Sequence, residues 1–253
     1  MKAKKKKLIC GVFICSVIFT LLFATTAHAV NIFPFGDIGW EGSPQDMSTS
    51  MQIILVLTIL SLAPSILIMM TSFTRIVIVI SFLRNALGTQ NAPPNQVVIG
   101  LSLFLTFFIM APVASDIKTN AYEPYMAQQI TQQEAFEKAK EPIRDFMLRQ
   151  TYSKDLNLFL DLGNREQPEK IEEISFDVII PAFIVSELKR AFQIGFFIYI
   201  PFIVIDMVVA STLMSMGMMM LPPSMISLPF KIMLFVLVDG WDLVIQTLIT
   251  SFG

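Results

Sequence analysis

The sequence predicts an all-α integral membrane protein: kinked helical hairpins made from about four hydrophobic segments, with a small helical extracytoplasmic domain between them. Three observations carry that reading. Of 253 residues, 54% are hydrophobic and only 15% are charged, and the mean hydropathy is +0.66; soluble domains carry roughly 25% charge. The apolar residues are gathered into runs near the ~20 residues that one membrane helix needs. Prolines and turn residues divide those runs into hairpins. The net charge of −2 gives no basic surface for nucleic acid, so that class of partner is excluded.

The first 29 residues read as a signal peptide. Lys2, Lys4, Lys5, Lys6 and Lys7 form a basic start, and Leu8 to Phe23 form an apolar stretch. Ala27 and Ala29 flank His28 as small residues at a cleavage site. An uncleaved N-terminal anchor is the alternative, although the apolar run is short for a span. Cleavage would remove Cys10, Cys15 and His28, the only cysteines and histidine of the chain. The mature protein would then have no disulfide, thiol nucleophile, Ser-His pair or Cys/His metal site. No catalytic, cofactor-binding or metal-binding residue is expected, and no cofactor.

Residues 30–50 are rich in Gly, Pro and Ser and read as a loop. Residues 51–114 form a first hydrophobic hairpin. One helix runs from about Met51 to Met70, interrupted by Pro64, and a shorter one carries Arg75 and Arg84. A turn at Gly88 to Gln96 contains Pro93 and Pro94, and an apolar segment follows from Val97 to Val113. A four-span topology puts Arg75 and Arg84 on the inner side, as the positive-inside rule prefers, with Lys189 and Arg190 against it. Residues 115–180 are polar, with acidic residues in excess, and form the extracytoplasmic domain. Thr131 and Glu134 have capping-box spacing. Pro142 should kink or restart the helix after them, and a second helix from Ser153 to Leu162 should stop at Gly163. Residues 164–173 form a charged linker. Residues 181–253 form the second hairpin: Pro181 opens a helix, Pro201 interrupts it, a Met-rich turn follows, and a last helix runs from about Leu228 to Thr250.

Two features invite a functional reading. Eight of the 16 methionines fall between Met207 and Met233, among them Met214, Met216, Met218, Met219 and Met220. Methionine is flexible and polarizable, so such side chains could seal a pore yet deform around a passing chain; ordinary helix packing is the plainer explanation. Arg75, Asp206, Lys231 and Asp239 are charges inside hydrophobic segments, where each is costly unless paired. Asp206 and Lys231 flank the Met-rich turn and could pair across the hairpin, or else meet headgroups and water near helix ends. Two intramembrane aspartates also raise an aspartyl protease, but neither lies in the Gly-x-Gly-Asp pattern of such enzymes. A solute transporter would show repeated halves, and no repeat is evident.

Two long stretches resemble the signatures of the FliP family of type III export gates. The first runs from Thr71, Ser72, Phe73, Thr74 and Arg75 through Phe82, Leu83, Arg84, Asn85, Ala86, Leu87 and Gly88 to Pro93, Pro94, Asn95 and Gln96. The second begins at Ser186, Glu187, Leu188 and Lys189, passes Gly195, Pro201, Asp206, Gly217 and Pro222, and ends in Leu228, Pro229, Phe230, Lys231, then Asp239, Gly240 and Trp241. The resemblance implies a non-enzymatic homo-oligomer in the bacterial inner membrane, within the flagellar basal body and its MS ring. It implies assembly with FliQ and FliR, with FlhA and FlhB completing the apparatus, and passage of unfolded export substrates. It also implies that apolar surface is shared between membrane lipid and sister subunits. The segment Met214 to Met220 matches the family's pore gasket, and Arg75, Asp206, Lys231 and Asp239 become buried charges for assembly. Virulence-type (injectisome) gates share these motifs, but the cleavable signal and extended N-terminus resemble the flagellar branch more.

Overall fold

The computed structural model describes residues 44–89, 91–163, 174–218 and 221–253. The expected signal peptide, most of the expected 30–50 loop, the expected 164–173 linker, Met219 and Met220 lie outside the described residues. Two compact units are present, Met1–Ile59 and Leu60–Gly253. The first is described only through the opening part of helix α1, Pro44–Met69; the helices from Phe73 onward belong to the second. The described residues are helical, with no strand among them, as the composition predicts.

Helix α2, Phe73–Leu87, is the central element. Its buried residues Arg75, Ile76, Val79, Ile80, Leu83, Ala86 and Leu87 recur every three to four positions, which lines one helical face. That face packs along α7, Phe176–Ser215. At Gly195 of α7 an added Cβ would stand 2.7 Å from the Phe82 ring of α2, so a larger residue there would force the ring or the helix to shift. Val98 of α3, Asn95–Ile117, completes this apolar cluster with Phe235 of α8, Pro223–Leu237, and Val244 and Leu248 of α9, Gly240–Thr250.

Helix α3 does not end where the composition turns polar near residue 114. It continues through a π-helical turn at Lys118–Tyr122 into the short α4, Glu123–Met126. The whole rod is long and apolar enough to cross a membrane, as is α7, and α8 with α9 could make a third span bent by 65°. The polar segment then forms α5, Gln132–Gln150, and α6, Ser153–Leu162. The capping box is present: the Glu134 amide donates to Thr131 Oγ1 at 3.2 Å and the Thr131 amide to Glu134 Oε2 at 2.8 Å. These bonds satisfy two free donors of the first turn. Helix α6 stops at Gly163 as expected. Phe146, Met147 and Leu160 join Val113 of α3 and Val178, Ile179 and Phe183 of α7 in a second apolar cluster. The polar helices therefore share the core of the long ones.

Five expectations change. Helix α1 begins at Pro44, inside the stretch read as loop, and continues through Pro64. Helix α7 runs through Pro201 without interruption. Helix α5 runs through Pro142 without ending. Helix α7 starts at Phe176, so Pro181 lies inside its second turn rather than opening it; burial of Val178 and Ile179 in the second cluster rewards the extra turn. The last apolar run breaks into α8 and α9 at Asp239, whose φ of 49° is left-handed.

Candidate functional site

The intramembrane charges resolve into two networks and one exposed turn. Arg75 is fully buried. Its Nε donates to Glu187 Oε2 at 2.9 Å, and its Nη2 pairs with Glu187 Oε1. Nη1 reaches the Ser251 carbonyl at 2.8 Å and the Ser251 hydroxyl at 2.9 Å, and Nη2 reaches Gln150 Oε1 at 3.0 Å. A guanidinium has five N–H donors, and all five are matched. The Phe252 ring centre lies 3.7 Å from Arg75 Cζ, a cation–π contact. Gln150 also accepts from Arg190 at 2.7 Å and donates to the Phe252 carbonyl at 3.0 Å. One buried node thus binds α2, α5, α7 and the segment after α9. The charge of Arg75 is neutralised inside the protein by Glu187.

A satellite of that node joins α6 to α7. Asp155, buried, pairs with Lys189 and accepts from the Ser186 hydroxyl at 2.8 Å. Ser186 in turn accepts from the Tyr152 amide at 3.0 Å. Burial alone would raise the Asp155 carboxyl; the Lys189 and Ser186 contacts outweigh it and hold the group below the usual carboxylate range.

The second network is the pair foreseen across the hairpin. Lys231 Nζ lies 2.6 Å from Asp206 Oδ2 and donates to the Ala86 carbonyl at 3.2 Å. The Ser227 hydroxyl donates to the other oxygen of Asp206. The Lys231 side chain is 5% exposed and that of Asp206 34%. Ala86 lies in the last turn of α2, where helix carbonyls lack partners and the dipole favours a cation.

Asp239 is not buried within the chain. It is exposed, in the turn between α8 and α9, and forms no ion pair among the described residues. No cluster of metal-ligating side chains occurs among the described residues.

The methionine turn follows α7. The Gly217 amide donates to the Met214 carbonyl at 3.0 Å and the Met218 amide to the Leu213 carbonyl at 3.0 Å, with Gly217 at a φ of 75°. This is a Schellman cap, with glycine in the left-handed position. Backbone geometry is therefore fixed, while the side chains of Met214, Met216 and Met218 are 61%, 72% and 40% exposed. Sequence reading found the methionines, Asp206 and Lys231 but missed Glu187 as the partner of Arg75. Its only signal was an acidic residue near the start of an apolar helix.

The family model described as the FliP family matches residues 56–248, an interval that holds Arg75, Glu187, Asp206, Lys231, Asp239 and the methionine turn. The chain is 57% identical over 223 residues to flagellar biosynthetic protein FliP of Bacillus subtilis, covering 88% of this chain and 98% of that protein. It is 55% identical over 208 residues to the protein of that name from Pectobacterium carotovorum, covering 82% and 81%. For Aquifex aeolicus FliP the figures are 53% over 205 residues, 80% and 86%. The buried Arg75 node, the clamped hairpin and the capped methionine turn therefore all lie in a chain that belongs to the FliP family.

Proposed function

We propose that the chain is a subunit of the flagellar protein export gate, embedded in the bacterial inner membrane at the basal body. The observation that carries this is the match to flagellar biosynthetic FliP proteins along most of their length. In this reading several copies assemble with FliQ and FliR around a central pore, inside the MS ring, and FlhA and FlhB complete the apparatus. Unfolded flagellar proteins pass through.

The apolar windows of the long helices support it, since only 22% and 11% of them are buried within the chain. Lipid and sister subunits cover the rest. The polar helices α5 and α6 are placed outside the cytoplasm, and a cleaved signal peptide directs insertion. The turn at Met214–Met218, with the neighbouring Met219 and Met220, lines the constriction and yields to the passing chain because thioether side chains adapt. Arg75, Asp206 and Lys231 hold the subunit in the shape that assembly needs, and Asp239 lies on a surface that a neighbour covers. No residue is assigned a catalytic role and no cofactor is required. Driving force comes from elsewhere in the apparatus.

The test is export. Deleting the gene should remove hook and filament proteins from the culture supernatant, and restoring it should bring them back. Filament protein outside the deleted cells would reject the flagellar assignment and turn attention to a virulence-type gate.

A further inference from the structure

The methionine turn has exposed side chains, so packing within the chain does not hold its tips. Its backbone is nonetheless tied to α7 by the Gly217 cap. The position of the turn is therefore set by whatever fixes the end of α7. Eight residues separate Asp206 from Met214, or about 12 Å of helix. Within that length Asp206 is the polar anchor, held by Lys231 and Ser227 of α8. Lys231 extends the anchor to the Ala86 carbonyl of α2, which in turn lies in the central helix of the core. A continuous path of hydrogen bonds and helix thus leads from the core to the methionines.

We propose that Asp206, Ser227 and Lys231 form a clamp that positions the methionine turn, so that the tightness of the closed gate to small ions depends on them. This rests on the gate function proposed above. The three are positioning residues, acting through the α7 end and not by touching the permeating ion. Their geometry fits the task. A salt bridge and a hydrogen bond from Ser227 fix α7 against α8, and a hydrogen bond from Lys231 to Ala86 ties α8 to α2, where apolar packing alone would allow sliding. Lys231 is enclosed, so the cationic end of the clamp is shielded while the Asp206 end is half-open.

The experiment uses the full apparatus in cells, with three readouts: co-purification with FliQ and FliR, export of hook protein, and ion leak. The double variant Asp206→Asn with Lys231→Met removes both charges at similar volume, which avoids stranding one of them. Per assembled complex recovered, it should leak ions about tenfold more than the parent. Ser227→Ala, which keeps the ion pair, should leak less than the double variant and more than the parent. Lys231→Arg, which keeps the charge, should stay tight. The reference is Met216→Ala with Met218→Ala. If that reference leaks while the double variant and Ser227→Ala stay as tight as the parent, the clamp is overturned and the gasket stands. If the reference stays tight as well, the gasket reading itself fails. Should the double variant not accumulate, Ser227→Ala decides: leak at normal assembly supports the clamp, and parental tightness overturns it.

Discussion

The Arg75 node and the methionine turn solve opposite problems. At Arg75 every donor is matched, the side chain has no exposure, and four parts of the chain converge on one group. At the turn only the backbone is specified, by two hydrogen bonds and a left-handed glycine, and the side chains are left exposed. Directional bonds set a single geometry at the first place. At the second, soft thioethers keep many. The difference teaches where rigidity sits in this chain: a fixed frame carries a deformable tip, and the Asp206–Lys231 pair stands between them.

Breaking the frame should cost most. Arg75→Met would leave Glu187 buried and unpaired, a loss of about 3–5 kcal/mol, and the protein should fail to accumulate in membranes. Normal levels on a membrane immunoblot would show that the node is not essential to folding. Lys231→Ala strands Asp206, which is partly exposed, so the cost should be smaller, about 2–3 kcal/mol, with less FliQ and FliR recovered on purification. Undiminished recovery would refute its part in assembly.

Asp155→Asn removes the charge that Lys189 and Ser186 hold, at about 1.5–2 kcal/mol, read as a lower melting temperature in detergent. Its pH dependence has a definite sign. The folded carboxyl sits below its unfolded value, so its stabilisation is complete above that unfolded value and is lost as pH falls through the lower folded one. The Asn variant should show a flatter acid limb, and an unchanged limb would sink the assignment. Gly217→Ala should have the smallest effect on stability, about 1–2 kcal/mol of left-handed strain, because nothing lies within 4 Å of the added Cβ. Accumulation should be near normal while ion leak rises. A tight gate in that variant would mean the turn's backbone does not matter.

Local chemistry was legible in the sequence and distant chemistry was not. Thr131 and Glu134 are three residues apart, and Gly163 directly follows its helix, so both signals act within one turn. Asp206 and Lys231 were readable as a pair because a short hairpin must bring its arms together. Glu187 lies 112 residues from Arg75, and no periodicity links them. Only packing of α2 along α7 joins the two. The helix break at Asp239 was missed for a different reason. Asp-Gly is a turn signal, but the apolar residues around Asp239 and Gly240 hid it within what reads as one span. Pro181 misled in the same way, since a helix start inferred from proline ignores the burial that extends α7 backward to Phe176.

The order of synthesis gives the Arg75 node one more property. Arg75 leaves the ribosome before Gln150, then Glu187, then Ser251, which is 176 residues later. The growing chain therefore carries a guanidinium whose partners arrive one after another. Its carboxylate comes late and its carbonyl last. Until residue 251 is in place, Nη1 has neither of its two acceptors. The node therefore closes only once the chain has reached Ser251, which supplies both acceptors of Nη1.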